Sequence, residues 1–188
     1  MRKITIITPC CRPNNLKKII ESLDFDFIDE WIIVYDQNKI HENLNLFKSH
    51  IHCNKIKEFI YKTDNDGWGN SQRNYGIESI QNKDAYVYFL DDDNIIHPNL
   101  YTFLNTIYDD DKKIYTFNQD NHGTISTGNR LYVGGLDTAI FLMHYNYLKR
   151  WHLNRHEADA LFFLDCYNDN KENYEYVDKV LCYYNYLQ

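Results

Sequence analysis

Tyr86-Val87-Tyr88-Phe89-Leu90-Asp91-Asp92-Asp93-Asn94 runs from an unbroken apolar stretch directly into three adjacent carboxylates. A short apolar run bounded by polar residues reads as a strand buried on both faces. Three carboxylates at its end repel one another, and a hard cation relieves that repulsion. Magnesium or manganese, held by one or two carboxylates together with a diphosphate, is the natural ligand set. Asp and Asn are also common turn residues. Asp109-Asp110-Asp111, beside Lys112-Lys113, illustrates that plainer use and receives no role.

Outward from this strand the chain alternates. Residues 4–9 form an apolar strand, 14–23 carry Leu16, Ile19, Ile20 and Leu23 at helical spacing, and 31–35 form a second apolar run closing on Asp36. Residues 55–62 alternate like a strand, 71–80 read as a helix, and 85–90 are the strand quoted above. Strands alternating with helices predict an α/β fold with a mainly parallel sheet and helices on both faces. Ligands of such sheets sit beyond the carboxyl ends of the strands. Thr8-Pro9, Asp36 and the 91–93 carboxylates all fall at such ends.

In the second half, 99–108 read as a helix and 113–118 as a strand. Residues 131–135 and 139–144 read as two strands around a turn at Gly134-Gly135. Residues 147–151 and 157–167 read as helices, and 174–186 as a strand or hairpin.

The chain has 188 residues, with 44% hydrophobic and 25% charged, the balance of one ordinary globular domain. Abundant Tyr, Asn, Ile and Lys match the codon bias of an AT-rich genome, such as those of some intracellular bacteria or large DNA viruses. A net charge of −7, with no long Lys/Arg run, argues against nucleic acid as a partner. No apolar stretch approaches the ~20 residues of a membrane span. The five cysteines are odd in number and lack any C-x-x-C pair, which fits a reducing cytoplasm better than a disulfide framework or zinc knuckle.

The pieces I-T-I-I-T-P-x-x-R-P, W-I-I-V-Y-D, G-N-S-Q-R-N-Y-G-I and Y-F-L-D-D-D-N, in this order, resemble the nucleotide-binding half of GT-A glycosyltransferases, family 2 in particular. Gln72-Arg73-Asn74 followed by Asp91-Asp92-Asp93-Asn94 is also similar to the animal glucuronyltransferases. The resemblance implies a single Rossmann-like domain over 1–188, with a nucleotide-sugar-binding half at 1–105 and an acceptor-binding half at 106–188. It implies a UDP-sugar donor, a Mn2+ or Mg2+ cofactor, and a glycan or other hydroxylated acceptor. Thr8, Pro9, Arg12 and Asp36 would then line the nucleotide site, with Asp36 accepting from the uracil N3–H. The family's second Asp and Gly are replaced here by Gln37-Asn38. Arg73 would face the nucleotide, Asp91 and Asp92 the ribose or the metal, and Asp93, the last acid of the DxD motif, the ion itself. The leaving nucleoside diphosphate gains negative charge, which a metal stabilises.

On the acceptor side, 155–163 resemble the family segment in which an acid opens a helix under the acceptor. An inverting transfer needs one general base. Asp159 takes that role, with Glu157 in reserve; at i and i+2 they point different ways. Both read equally as first-turn acids that suit the helix dipole. Asp137, Trp151 and His156 are candidates for the acceptor pocket, although Asp137 reads as well as a turn residue and Trp151 as a core ring. His50 with His52 and His152 with His156 have metal-like spacing, but neither pair has a third ligand nearby, which makes them surface or core histidines. Trp68 stands in a Gly-rich loop, where it would cover the donor or anchor packing.

Three rivals remain. A module that binds the nucleotide sugar without turnover would keep the same motifs. A sugar nucleotidyltransferase would place a Gly-rich loop after the first strand, where this chain has Cys10-Cys11-Arg12-Pro13. A glycoside hydrolase would need a second catalytic acid that nothing marks.

Overall fold

Alternate residues of each central strand enter opposite cores of the sheet. The computed structural model describes residues 3–39, 53–62, 68–108 and 112–188. In chain order the elements are β1 (Ile4–Cys10), α1 (Leu16–Glu21), β2 (Ile28–Asp36), β3 (Ile56–Tyr61), α2 (Asn70–Glu78), β4 (Tyr86–Phe89) and β5 (Ile95–Ile96). They continue with α3 (Asn99–Leu104), β6 (Ile114–Asn121), β7 (Thr124–Ser126), β8 (Phe141–His144), α4 (Ala158–Asn168) and β9 (Tyr174–Tyr183). His50-Ile51-His52, the 64–67 part of the Trp68 loop and Asp109–Asp111 lie outside the described residues.

On β2, Trp31, Ile33 and Tyr35 join one core while Ile32 and Val34 join the other. On β4, Tyr86 and Tyr88 go one way and Val87 and Phe89 the other. This is the period of two expected of a strand, with both faces apolar because helices cover both. Leu16 and Ile19 of α1 and Leu100, Phe103 and Leu104 of α3 fill the first core. Phe162 and Phe163 of α4, with Tyr75 and Ile77 of α2, fill the second. Gly76 lets α2 lie close on the sheet: a Cβ there would stand 2.5 Å from Ile7 Cγ2.

The sheet order is β3-β2-β1-β4-β8-β6-β9-β5, with β7 paired to β6. β3, β2, β1 and β4 run parallel, as the sequence predicts. The other half adds reversed strands to this frame: β8 is antiparallel to both β4 and β6, β7 to β6 and β5 to β9, while β6 and β9 run parallel to each other and in the same sense as β4. The reversal begins at His122-Gly123, whose φ values of 50° and 91° form a two-residue hairpin between β6 and β7.

Two expectations are corrected here. Residues 131–135 form a turn, not a strand, with Gly135 N–H donating to Tyr132 O and Tyr132 and Val133 exposed. Residues 147–151 are not a helix: a single 3-10 turn, Tyr145–Tyr147, leads into irregular backbone. Among the described residues no helix is long and apolar enough to cross a membrane.

Candidate active site

The carboxyl ends of β1, β2 and β4 and the start of α2 enclose a cleft of about 340 Å3. Of the expected site residues, Pro9, Arg12, Asp36, Arg73, Asp91, Asp92 and Asp93 line it. Thr8 does not: fully buried, its Oγ1 accepts from Trp31 Nε1 at 2.9 Å inside the core. Asp36 closes β2, its Oδ1 accepting the Asn38 N–H at 2.9 Å and its Oδ2 lying 3.7 Å from Lys39 Nζ. A base contact at Asp36 therefore shares the carboxylate with this turn.

Two arginines hold the acidic loop. Asp92, only 2% exposed, accepts from the Cys11 and Arg12 N–H groups at 2.6 Å each and from Arg12 Nε at 2.8 Å. Its carboxylate thus clamps the loop after β1. Arg12 Nη2 continues to Asp93 Oδ2 at 2.8 Å. Arg73, almost fully buried in α2, donates from Nη2 to Asp91 Oδ1 at 2.5 Å and from Nη1 to Trp68 O at 2.9 Å. Asn74 clamps the backbone of residue 151, donating to Trp151 O at 3.0 Å and accepting Trp151 N–H at 2.8 Å.

This clamp decides the fate of Trp151. Its ring is 2% exposed, stacks on Phe162 at 4.2 Å and lies under the Arg73 guanidinium at 4.7 Å. It is a core support for Arg73 through a cation–π contact and not a surface for an acceptor sugar. His156 instead is exposed and meets Trp68 edge-on at 4.9 Å. His152 is paired with Asp165 at 2.7 Å.

The carboxylates of the acceptor half lie within electrostatic range of this cleft without lining it. Asp159, in the first turn of α4, acts electrostatically on Arg73, Asp91 and Asp137. Glu157, the residue that precedes α4, is exposed. Burial, followed by the charges of Asp159 and Asp93, raises Asp91 to about 6 against the opposing Arg73. Asp137 caps the turn at Thr138–Ile140 by accepting Ala139 N–H at 3.0 Å. Burial and then Asp159 push it to about 7.

Because Asp137 moves from 3.8 to about 7 on folding, the folded chain holds a proton that the unfolded chain has released. The penalty for ionising it is absent below about pH 4 and complete above about pH 7, so stability falls as pH rises through that window. Asn at this position keeps the acceptor for Ala139 N–H without the charge. Asp137→Asn is therefore expected to raise Tm at about pH 8, with the gap to wild type closing toward about pH 4. Thermal melts across that range check it; a gap independent of pH would contradict it.

Among the described residues no three Asp, Glu, His or Cys side chains form a closed metal site. A divalent ion that shares its shell with a diphosphate needs only one or two protein carboxylates. The donor set fits that case. Asp91, Asp92 and Asp93 pair with the guanidinium groups of Arg12 and Arg73, and Asp91 and Asp137 are raised by burial and then by like-charged neighbours.

Some groups at the site carry little sequence signal. The strand after residue 174 ends at Tyr183, and the segment beyond it crosses the acidic loop: Leu187 N–H donates to Asp93 O at 3.0 Å and Gln188 Nε2 to Asp93 Oδ2 at 3.2 Å. A Tyr-rich run gives no hint of this. Gln72 lines the cleft fully buried, and its Oε1 has no partner among the described residues. Its signal is its place before Arg73 in the Gln72-Arg73-Asn74 motif.

Among solved structures, TarS 1-349 from S. aureus superimposes with a TM-score of 0.72 at 15% identity, covering 97% of this chain and 60% of that one. TarS 1-349 in complex with UDP-GlcNAc gives 0.71 at 15% identity, over 97% and 58%. S. aureus TarS gives 0.65 at 14% identity, over 97% and 36%. The chain thus spans no more than about 60% of these proteins' length. At this identity the likeness is one of fold. No curated protein matches the chain significantly. The model of glycosyl transferase family 2 matches residues 5–168. Its match runs from the first strand through the helix that carries Asp159, and the chain belongs to glycosyl transferase family 2.

Proposed function

We propose that the cleft binds a UDP-sugar and transfers the sugar, with inversion, to a hydroxyl of a glycan or other acceptor. The observation that carries this reading is the convergence of the Asp159 carboxylate from the later half with Arg73 and Asp91 from the earlier half. Residues 1–105 then supply the donor side and 106–188 the acceptor side. Asp36 would meet the base, and Arg12 and Lys39, both on the cleft wall, would face the diphosphate. Asp93 and Asp91 would hold Mn2+ or Mg2+, which offsets charge on the departing UDP when bound.

Asp159 removes the acceptor proton while the acceptor oxygen attacks the sugar C1 from the face opposite UDP. The C1–O bond to the acceptor forms, the C1–O bond to the diphosphate breaks, and the proton stays on Asp159. Glu157 remains in solvent. The nucleotidyltransferase reading loses its support, because the Cys11 and Arg12 amides that would cradle a triphosphate both donate to Asp92.

The experiment is UDP release from UDP-GlcNAc, UDP-glucose and UDP-glucuronate with manganese. UDP-GlcNAc comes first because a fold relative binds it. Slow release without acceptor is expected from at least one donor. Thermal stabilisation by a donor with no release would favour a binding module.

A further inference from the structure

Trp68 is the one aromatic side chain among the described residues that line the cleft. The rest of the lining is charged, polar or small, yet Trp68 stays 56% exposed at its mouth. The backbone that presents it is fixed from three sides. Arg73 Nη1 holds the Trp68 carbonyl at 2.9 Å. Gly69 takes a φ of 82°, and a Cβ there would stand 3.1 Å from Pro9 Cβ, so the turn lies tight against the end of β1. Asn70 Nδ2 reaches Arg155 O at 3.5 Å and ties this turn to the loop before α4. On that loop His156 meets the indole edge-on, three residues before Asp159.

We propose that Trp68, braced by His156, is the platform on which a pyranose ring of the acceptor stacks, so that the acceptor is a ring sugar and not an acyclic polyol or a peptide hydroxyl. A pyranose has an apolar C–H face and a rim of hydroxyls. The flat face of an exposed indole suits the first, and the carboxylates beside it suit the second. Donor contacts alone do not account for the placement: the ring is joined to the loop that opens the helix of the proposed base, while Asp36 stands at the end of β2. A sugar on Trp68 would lie beside the loop that leads into α4 and the proposed base.

This inference rests on the transferase reading, and one set of samples separates the two. Trp31 and Trp151 are buried, so solvent-sensitive tryptophan emission reports on Trp68. Protein loaded with UDP and manganese is titrated with cellotetraose, chitotetraose, a galactose tetrasaccharide and sorbitol. A saturable emission change with at least one ring saccharide and none with sorbitol is expected, lost in Trp68→Ala. In transfer kinetics with the responding saccharide, Trp68→Ala is expected to raise the acceptor KM about tenfold with kcat little changed, and Trp68→Phe to restore most of it. UDP titration of Trp68→Ala is expected to match wild type. Silence with every ring saccharide, or a response to sorbitol equal to theirs, overturns the proposal while leaving UDP binding to support the transferase. Weakened UDP binding in Trp68→Ala with an unchanged acceptor KM also overturns it and assigns the ring to the nucleotide.

Discussion

Replacing Asp159 by Asn is expected to slow sugar transfer by about 10²–10⁴-fold while leaving UDP affinity close to wild type. Asn has nearly the same shape and hydrogen-bonding size, but it cannot take a proton from the acceptor. The structure also explains why Glu157→Gln is expected to be mild. Asp159, in the first turn of α4, acts on Arg73, Asp91 and Asp137. Glu157 is exposed ahead of the first helical turn. Transfer kinetics and nucleotide titration on both variants check the assignment. A dead Glu157→Gln beside a near-normal Asp159→Asn would exchange their roles. Two active variants would move the base elsewhere, with Asp137 next in line.

Asp93→Ala is expected to lower turnover by at least about 10²–10³-fold with the fold intact. The Asp93 side chain accepts from Arg12 Nη2 and Gln188 Nε2, both on Oδ2. Its removal leaves Arg12 its bonds to Asp92 and takes one like charge away from Asp91. An unliganded melt close to wild type is therefore expected, which separates loss of the ion from loss of structure. A variant that turned over normally would remove the DxD assignment.

The parallel half of the sheet was legible in the sequence because its strands are apolar on both faces and end in polar residues. The segment 131–135 has the same local composition, yet its tight turn leaves Tyr132 and Val133 in solvent. Strand direction is not written in an apolar pattern either, so the reversal after His122-Gly123 appears only in three dimensions. At the site, Arg12, Asp36, Arg73, Asp91 and Asp93 were legible from strand ends and motifs. Thr8 stands in the same motifs but turns inward to Trp31, and Asp92, on the cleft wall, is taken up by the Arg12 loop. Trp151 was ambiguous because a buried Trp and a sugar platform share one residue type. Its place beneath Arg73 depends on Asn74, far away in sequence.

The central claim is that the 91–93 carboxylates serve a nucleoside diphosphate through a divalent ion. Calorimetric titration of UDP in manganese and again in EDTA, with wild type and Asp93→Ala, tests it most directly. Binding in manganese, an affinity weaker by at least about tenfold in EDTA, and coincident weak curves for Asp93→Ala under both conditions are expected. Equal UDP affinity for the wild type in manganese and EDTA would contradict it.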